Sequence, residues 1–288
     1  MSVVVRAVLI GMGVMLAGTL PRNFLFWANL HFVPSVPWAV PLIAGYLWLF
    51  WRYLGGAGEP AANAEWRRQS LRANRLPGNQ WAWSLVAGTL GLVALVLALR
   101  IANRMVVLPQ QTTPDLSQIP HATLAVLLVA SAGIAGLVEE SSFRGYMQRD
   151  IERRYGPAIA ILITGTMFAV AHLDFTPVLW PYYVAVAAIY GMVAYLTDSI
   201  LPAIVLHTAG NLYSNFDLWL HGQAEWQAPA ATTGLIWDSG ADRSFWISLC
   251  ALLIAAAAAI YAYVRLATAT RNVGGVNRMG MVTEEPAQ

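Results

Sequence analysis

The 288-residue chain contains no lysine: all 17 of its basic residues are arginine. It has a single cysteine, Cys250, and only 11% charged residues. One cysteine closes no internal disulfide and builds no Cys-rich metal cage; its place in an apolar run reads as core or lipid packing. Soluble domains average about 25% charged residues, so a chain this poor in charge is not built for water. The formal net charge of +2 is too small for the basic footprint of a nucleic-acid binder. The lack of lysine reads as compositional drift without mechanistic content. Internal repeats and coiled-coil heptads are also missing. In their place is apolar material, 58% of residues with a mean hydropathy of +0.54. The composition is that of an integral membrane protein.

Hydropathy divides the chain into eight expected spans near the roughly 20 residues that a bilayer requires. They run over Val3–Leu20, Val36–Trp51, Ala82–Ile101, Ala122–Glu140, Pro157–His172, Val178–Leu196, Ile200–Leu220 and Phe245–Leu266. The first has no clear cleavage site and only Arg6 as a basic residue, so it reads as an uncleaved span. Gly55–Gln80 reads as a polar loop with a short helix over Ala64–Arg75, Gly222–Asp242 as a longer loop, and Thr268–Gln288 as a tail without structure. Arg52, Arg67, Arg68, Arg72 and Arg75 lie on one side of this pattern, with Arg149, Arg153, Arg154, Arg271 and Arg278. Arg22, Arg104 and Arg243 fall in the alternate loops, among more acidic residues. The positive-inside rule then puts both termini in the cytoplasm, as an even number of spans requires.

Against this background two adjacent carboxylates, Glu139 and Glu140, are out of place. They end an apolar run from Ala122 to Leu137. Carboxylates so close to lipid are costly and point to a functional site. Glu140 and Arg144 are four apart with the acid first, the favourable order for an ion pair on one helix face. Glu139 projects about 100° away and is left without that partner, free for chemistry.

Two further polar pairs lie inside apolar spans, Phe168 with His172 and His207 with Asn211, each four apart and so on one helix face. Helix rise places Glu139 and His172 roughly 20–25 Å from the loop at Arg154, and His207 roughly 12 Å. The depths permit a common cavity. A carboxylate desolvated among apolar helices suits general-base chemistry near neutral pH, and His and Asn supply hydrogen-bond donors. Ser141 and Ser142 adjoin the carboxylates, but neither has the His neighbour of a nucleophile.

Taken in order, Glu139-Glu140-x-x-x-Arg144, Phe168-x-x-x-His172 and His207-x-x-x-Asn211 resemble the EExxxR, FxxxH and HxxxN/D motifs of the CPBP intramembrane proteases. That family holds CAAX proteases and bacteriocin-processing enzymes and includes the type II CAAX prenyl endopeptidase. The resemblance covers Ala122 to Asn215. It implies an all-α polytopic membrane protein with the active site in a cavity between the fourth, fifth and seventh spans. It implies a peptidase in which Glu139 and His172 activate water, and His207 and Asn211 stabilise the oxyanion. Glu140, Arg144 and Phe168 would support them. A glutamate-dependent site without a metal is favoured; were zinc bound, Glu139, His172 and His207 would be its ligands, a His₂Glu set with water as fourth. Asp174, two residues past His172, is a candidate to orient that ring.

The expected organisation is an N-terminal membrane region over 1–118, a catalytic membrane core over 119–220, and a loop, last span and tail over 221–288. The expected substrate is a membrane-associated peptide or protein, lipidated ones included, with no nucleic-acid partner. Two readings from other classes stay open, a non-catalytic membrane scaffold or immunity protein and a proton-coupled transporter. The intact set Glu139, His172, His207 and Asn211 argues against the first. The lack of repeated halves argues against the second.

Overall fold

In a computed structural model the described residues are 2–108, 116–173, 177–222 and 234–280, with side chains described as far as Arg271. Among them there is no strand. Apolar composition explains why: backbone groups facing lipid must be satisfied within their own segment, which the α-helix does. The helices are α1 (Val3–Phe32), α2 (Ala39–Leu54), α3 (Ala64–Leu71), α4 (Gly78–Met105), α5 (His121–Glu139), α6 (Gln148–Tyr155), α7 (Pro157–Ala171), α8 (Trp180–Thr197), α9 (Leu201–His221), α10 (Ile236–Ser239) and α11 (Arg243–Gly280). Glu140–Met147, between α5 and α6, is a π-helical turn, so 121–155 is one continuous rod.

Every expected span is helical. Five stretches are long and apolar enough to cross a membrane: 3–32, 78–105, 121–155, 177–197 and 243–271. α2 and α7 are apolar but only 16 and 15 residues long. At 1.5 Å per residue they fall short of a hydrocarbon core of about 30 Å. α9 has the length, at 21 residues, but carries His207, Asn211, Asn215 and Asp217. The chain is therefore a polytopic all-α membrane protein with five helices of spanning character and three lesser ones.

Three expectations need correction. The first helix does not stop near Leu20 but continues through Pro21 and Arg22 to Phe32. Arg22 is thus no loop residue: its Nη2 donates to Ser131 Oγ on α5. The segment from Thr268, expected to lack structure, continues α11 to Gly280, and the residues beyond lie outside the described range. Nor is the basic loop simply solvated. Arg67 and Arg72 are each 2% exposed. Arg72 pairs with Glu152 at 3.0 Å and with Asp198 at 2.9 Å, tying the end of α3 to α6 and to the α8–α9 turn.

The rod 121–155 is the spine of the fold. Val138 and Tyr146 pack into one apolar cluster with Ile43, Leu47, Phe50 and Ile200. Phe143 and Met147, on its other side, join Phe168, Tyr183, Tyr190 and Leu206. α9 lies along α5, and α8 lies along α7. At the α5–α9 crossing a Cβ on Gly136 would stand 2.3 Å from Thr208 Oγ1 and 3.0 Å from the Ile204 carbonyl oxygen. Only glycine admits that approach, and membrane helices use small residues for such crossings. The crossing sets Glu139 and Glu140 beside His207.

Candidate active site

The Glu pair stands where the rod changes from α to π. Ser141 Oγ donates to the Leu137 carbonyl at 2.7 Å and Ser142 Oγ to the Val138 carbonyl at 2.6 Å. Hydroxyls that bond back to i−4 carbonyls compete with the backbone N–H and distort the helix there. Short π segments often mark functional positions. Both serines are fully buried and their hydroxyls are spent, so neither offers a nucleophile.

Glu140 and Arg144 form the ion pair their spacing suggests, 3.1 Å apart and both fully buried. The same carboxylate has a second partner that local spacing did not reveal: its Oε1 lies 2.7 Å from His207 Nδ1. Aromatic rings enclose the guanidinium, Phe168 at 5.1 Å and Tyr190 at 5.3 Å from its carbon. Tyr190 also stacks on His207, with centroids 5.0 Å apart and planes 15° from parallel. One ring of α8 thus holds both an arginine and a histidine in place, and neither its type nor its spacing marked it in the sequence.

Glu139 behaves differently from its neighbour. Its side chain keeps 14% exposure and lines a cavity of about 580 Å³. His207 Nε2 is 3.7 Å from Glu139 Oε2, too far for a hydrogen bond. Oε2 has no hydrogen-bond partner among the described residues. Oε2 itself is buried, so it is the rest of the side chain that meets the cavity.

His172 ends α7. Its Nδ1 is 2.8 Å from the Phe168 carbonyl oxygen. A carbonyl only accepts, so Nδ1 carries the proton and a neutral ring keeps a lone pair on Nε2. Phe168 is 3% exposed, with its ring centroid 4.5 Å from that of His172 and 6.1 Å from that of His207. It separates the histidines and seats Arg144 beneath them. Asn211, one turn beyond His207 on α9, lines the same cavity. Asp174 lies outside the described residues.

Glu139, Phe168, His172, His207 and Asn211 therefore share one cavity, while Glu140 and Arg144 lie beneath it. The walls are wider than three spans: Leu92, Val96 and Leu99 of α4 and Tyr182, Val186 and Tyr190 of α8 complete them. For a metal the fit is poor. Among the described residues no three His, Cys, Asp or Glu side chains stand close enough together to hold an ion. Glu139, His172 and His207 do not stand close enough together in this structure to form a ligand set.

Residues 121–213 match the family model described as type II CAAX prenyl endopeptidase, Rce1-like. The matched stretch runs from the start of α5 into α9 and contains all three motifs. Comparison with curated proteins and with solved structures gives no match.

Proposed function

We propose that this chain, whose residues 121–213 match the Rce1-like CAAX prenyl endopeptidase family model, is an intramembrane endopeptidase with Glu139 as the base that activates water. The observation that carries the reading is that the partly exposed Glu139 side chain lines one cavity with His172, His207 and Asn211.

Water bound between Glu139 and His172 gives its proton to Glu139 as its oxygen attacks the scissile carbonyl carbon. His172 accepts the water's second hydrogen at Nε2 and fixes its orientation. The carbonyl oxygen becomes an oxyanion, to which His207 Nε2–H and the Asn211 amide donate. Glu139 then returns the proton to the leaving nitrogen as the C–N bond breaks. Donors aimed at such an oxyanion are worth about 2.7–4 kcal/mol each.

His207 donates from Nε2 while Nδ1–H faces Glu140 only as an imidazolium. In that state its Nδ1–H faces Glu140 at 2.7 Å and its Nε2–H lies 3.7 Å from the Glu139 carboxylate. Buried charges persist when paired. Glu140 is in this account a positioning residue, acting through His207.

The apolar walls suit a substrate segment that is itself membrane-associated, and a lipidated one falls within that class. We place the protein in the cell's inner membrane with both termini cytoplasmic, from the arginine distribution of its loops. No metal is assigned to the reaction. The test is cleavage of a membrane-anchored reporter peptide by the purified protein in H₂¹⁸O, read by mass spectrometry. One internal cut with ¹⁸O in the new carboxylate is expected. A reporter that stays intact across a broad sequence library would overturn the reading in favour of a binding role.

A further inference from the structure

A second cavity, of about 550 Å³, lies away from the first, between α1, α2 and the loop helix α3. Its outer part is apolar: Ile10, Gly13, Val14 and Ala17 of α1 face Leu49 and Phe50 of α2. Gly13, Ala17 and Leu49 are exposed, so in a bilayer this mouth opens to hydrocarbon. Tyr46 stands beside the mouth, its hydroxyl donating to the Ala17 carbonyl at 2.7 Å; on the α3 side the lining holds Tyr53, Trp66 and Tyr146 with Asn63 and Arg67.

Arg67 is unusual for a loop arginine. It is 2% exposed, with its guanidinium carbon 4.1 Å from the Tyr53 ring centroid. Nη2 donates to the Gly58 carbonyl at 2.7 Å, while Nε and Nη1 have no hydrogen-bond partner among the described residues. A guanidinium keeps its charge at any physiological pH, and a buried charge with unmet donors calls for an anion.

We propose that this groove is a phospholipid site, with an anionic phosphate headgroup on Arg67 and an acyl chain along α1 and α2. Its walls run from apolar at the mouth to aromatic and cationic on the α3 side, the order of a phospholipid from chain to headgroup. Arg52, exposed beside the loop, adds to the attraction for a negatively charged headgroup.

The test is native mass spectrometry of the full-length protein in detergent, titrated with phosphatidylglycerol, with diacylglycerol of the same chains, and with inorganic phosphate. Two variants accompany it. Arg67→Gln removes the cation. Gly13→Leu fills the groove: a Cβ there meets no atom within 4 Å, so the helix accepts it and its Tm holds. Phosphatidylglycerol is expected to bind at least about tenfold more tightly than diacylglycerol, with that preference lost in Arg67→Gln and binding weakened in Gly13→Leu. Equal affinity for the two lipids would overturn the assignment of the headgroup. Inorganic phosphate competing as well as the lipid, or Gly13→Leu binding like wild type, would overturn the assignment of the chain.

Discussion

Glu140 Oε1 lies 2.7 Å from His207 Nδ1 and 3.1 Å from Arg144 Nη1, so one buried carboxylate oxygen joins the first motif to the third. If it holds His207 as a donor, Glu140→Gln leaves a histidine that no longer carries a hydrogen on both nitrogens. Turnover should fall roughly 10–100-fold, as for loss of a partner that orients a functional histidine, with KM within about twofold. Glu140→Asp should restore part of kcat. Steady-state kinetics of the two variants decide it; a change confined to KM would place Glu140 in substrate binding instead.

Asn211 is assigned to the oxyanion, a role exercised only in the transition state. Asn211→Ala should lower kcat by about 10²–10³ and leave both substrate affinity and Tm near wild type. An effect on Tm alone would make Asn211 a packing residue.

Gly136 sets the distance between α5 and α9. The Cβ of Gly136→Ala would stand 2.3 Å from Thr208 Oγ1. Such overpacking costs about 1–3 kcal/mol and moves Glu139 and Glu140 away from His207. Thermal unfolding should show the loss, and activity should fall further than Tm alone explains. Adding Thr208→Ala should recover part of both, giving a non-zero coupling in the double-mutant cycle.

A pH signature sits at the start of α11. Asp242 accepts the Phe245 backbone N–H at 2.8 Å and pairs with Arg104 at 3.0 Å. The backbone hydrogen bond first, and Arg104 with it, holds its carboxyl below the ordinary carboxylate range. A depressed folded-state pKa adds stability that is fully present above the unfolded value, about 3.9, and is lost as pH falls through the folded one. Asp242→Ala should therefore melt below wild type at pH 7, and the two should converge in acid. A difference that persists unchanged at the lowest pH would show that the carboxylate charge is not its source.

Much of this was legible in the sequence, for physical reasons. Lipid imposes apolar composition on every segment that meets it, so hydropathy found the five helices of spanning character along with three lesser ones. The i, i+4 rule paired Glu140 with Arg144 because both lie on one helix. What escaped was non-local. The bond from Glu140 to His207 spans 67 residues, and Tyr190 is an ordinary aromatic in an apolar helix until the fold sets it on His207. The π turn depends on Ser141 and Ser142 bonding backwards, which composition alone does not announce. Pro21 and Arg22 look like the end of a span; the helix passes through them because Ser131 on α5 receives the guanidinium. Arg67 and Arg72 fall in what reads as a polar loop with a short helix, and only the packing of the folded chain buries them.

The most direct test of the account is the turnover of Glu139→Gln, measured beside wild type with and without a chelator, on a peptide that both proteins bind. Glutamine keeps the shape and removes the base. Substrate Kd within about twofold of wild type, kcat lost by the roughly 10²–10⁴ that a general base contributes, and wild-type turnover indifferent to the chelator are the results expected. Wild-type kcat in Glu139→Gln would contradict the assignment of the base. Chelator inactivation reversed by Zn²⁺ would contradict a reaction carried by the glutamate without a metal.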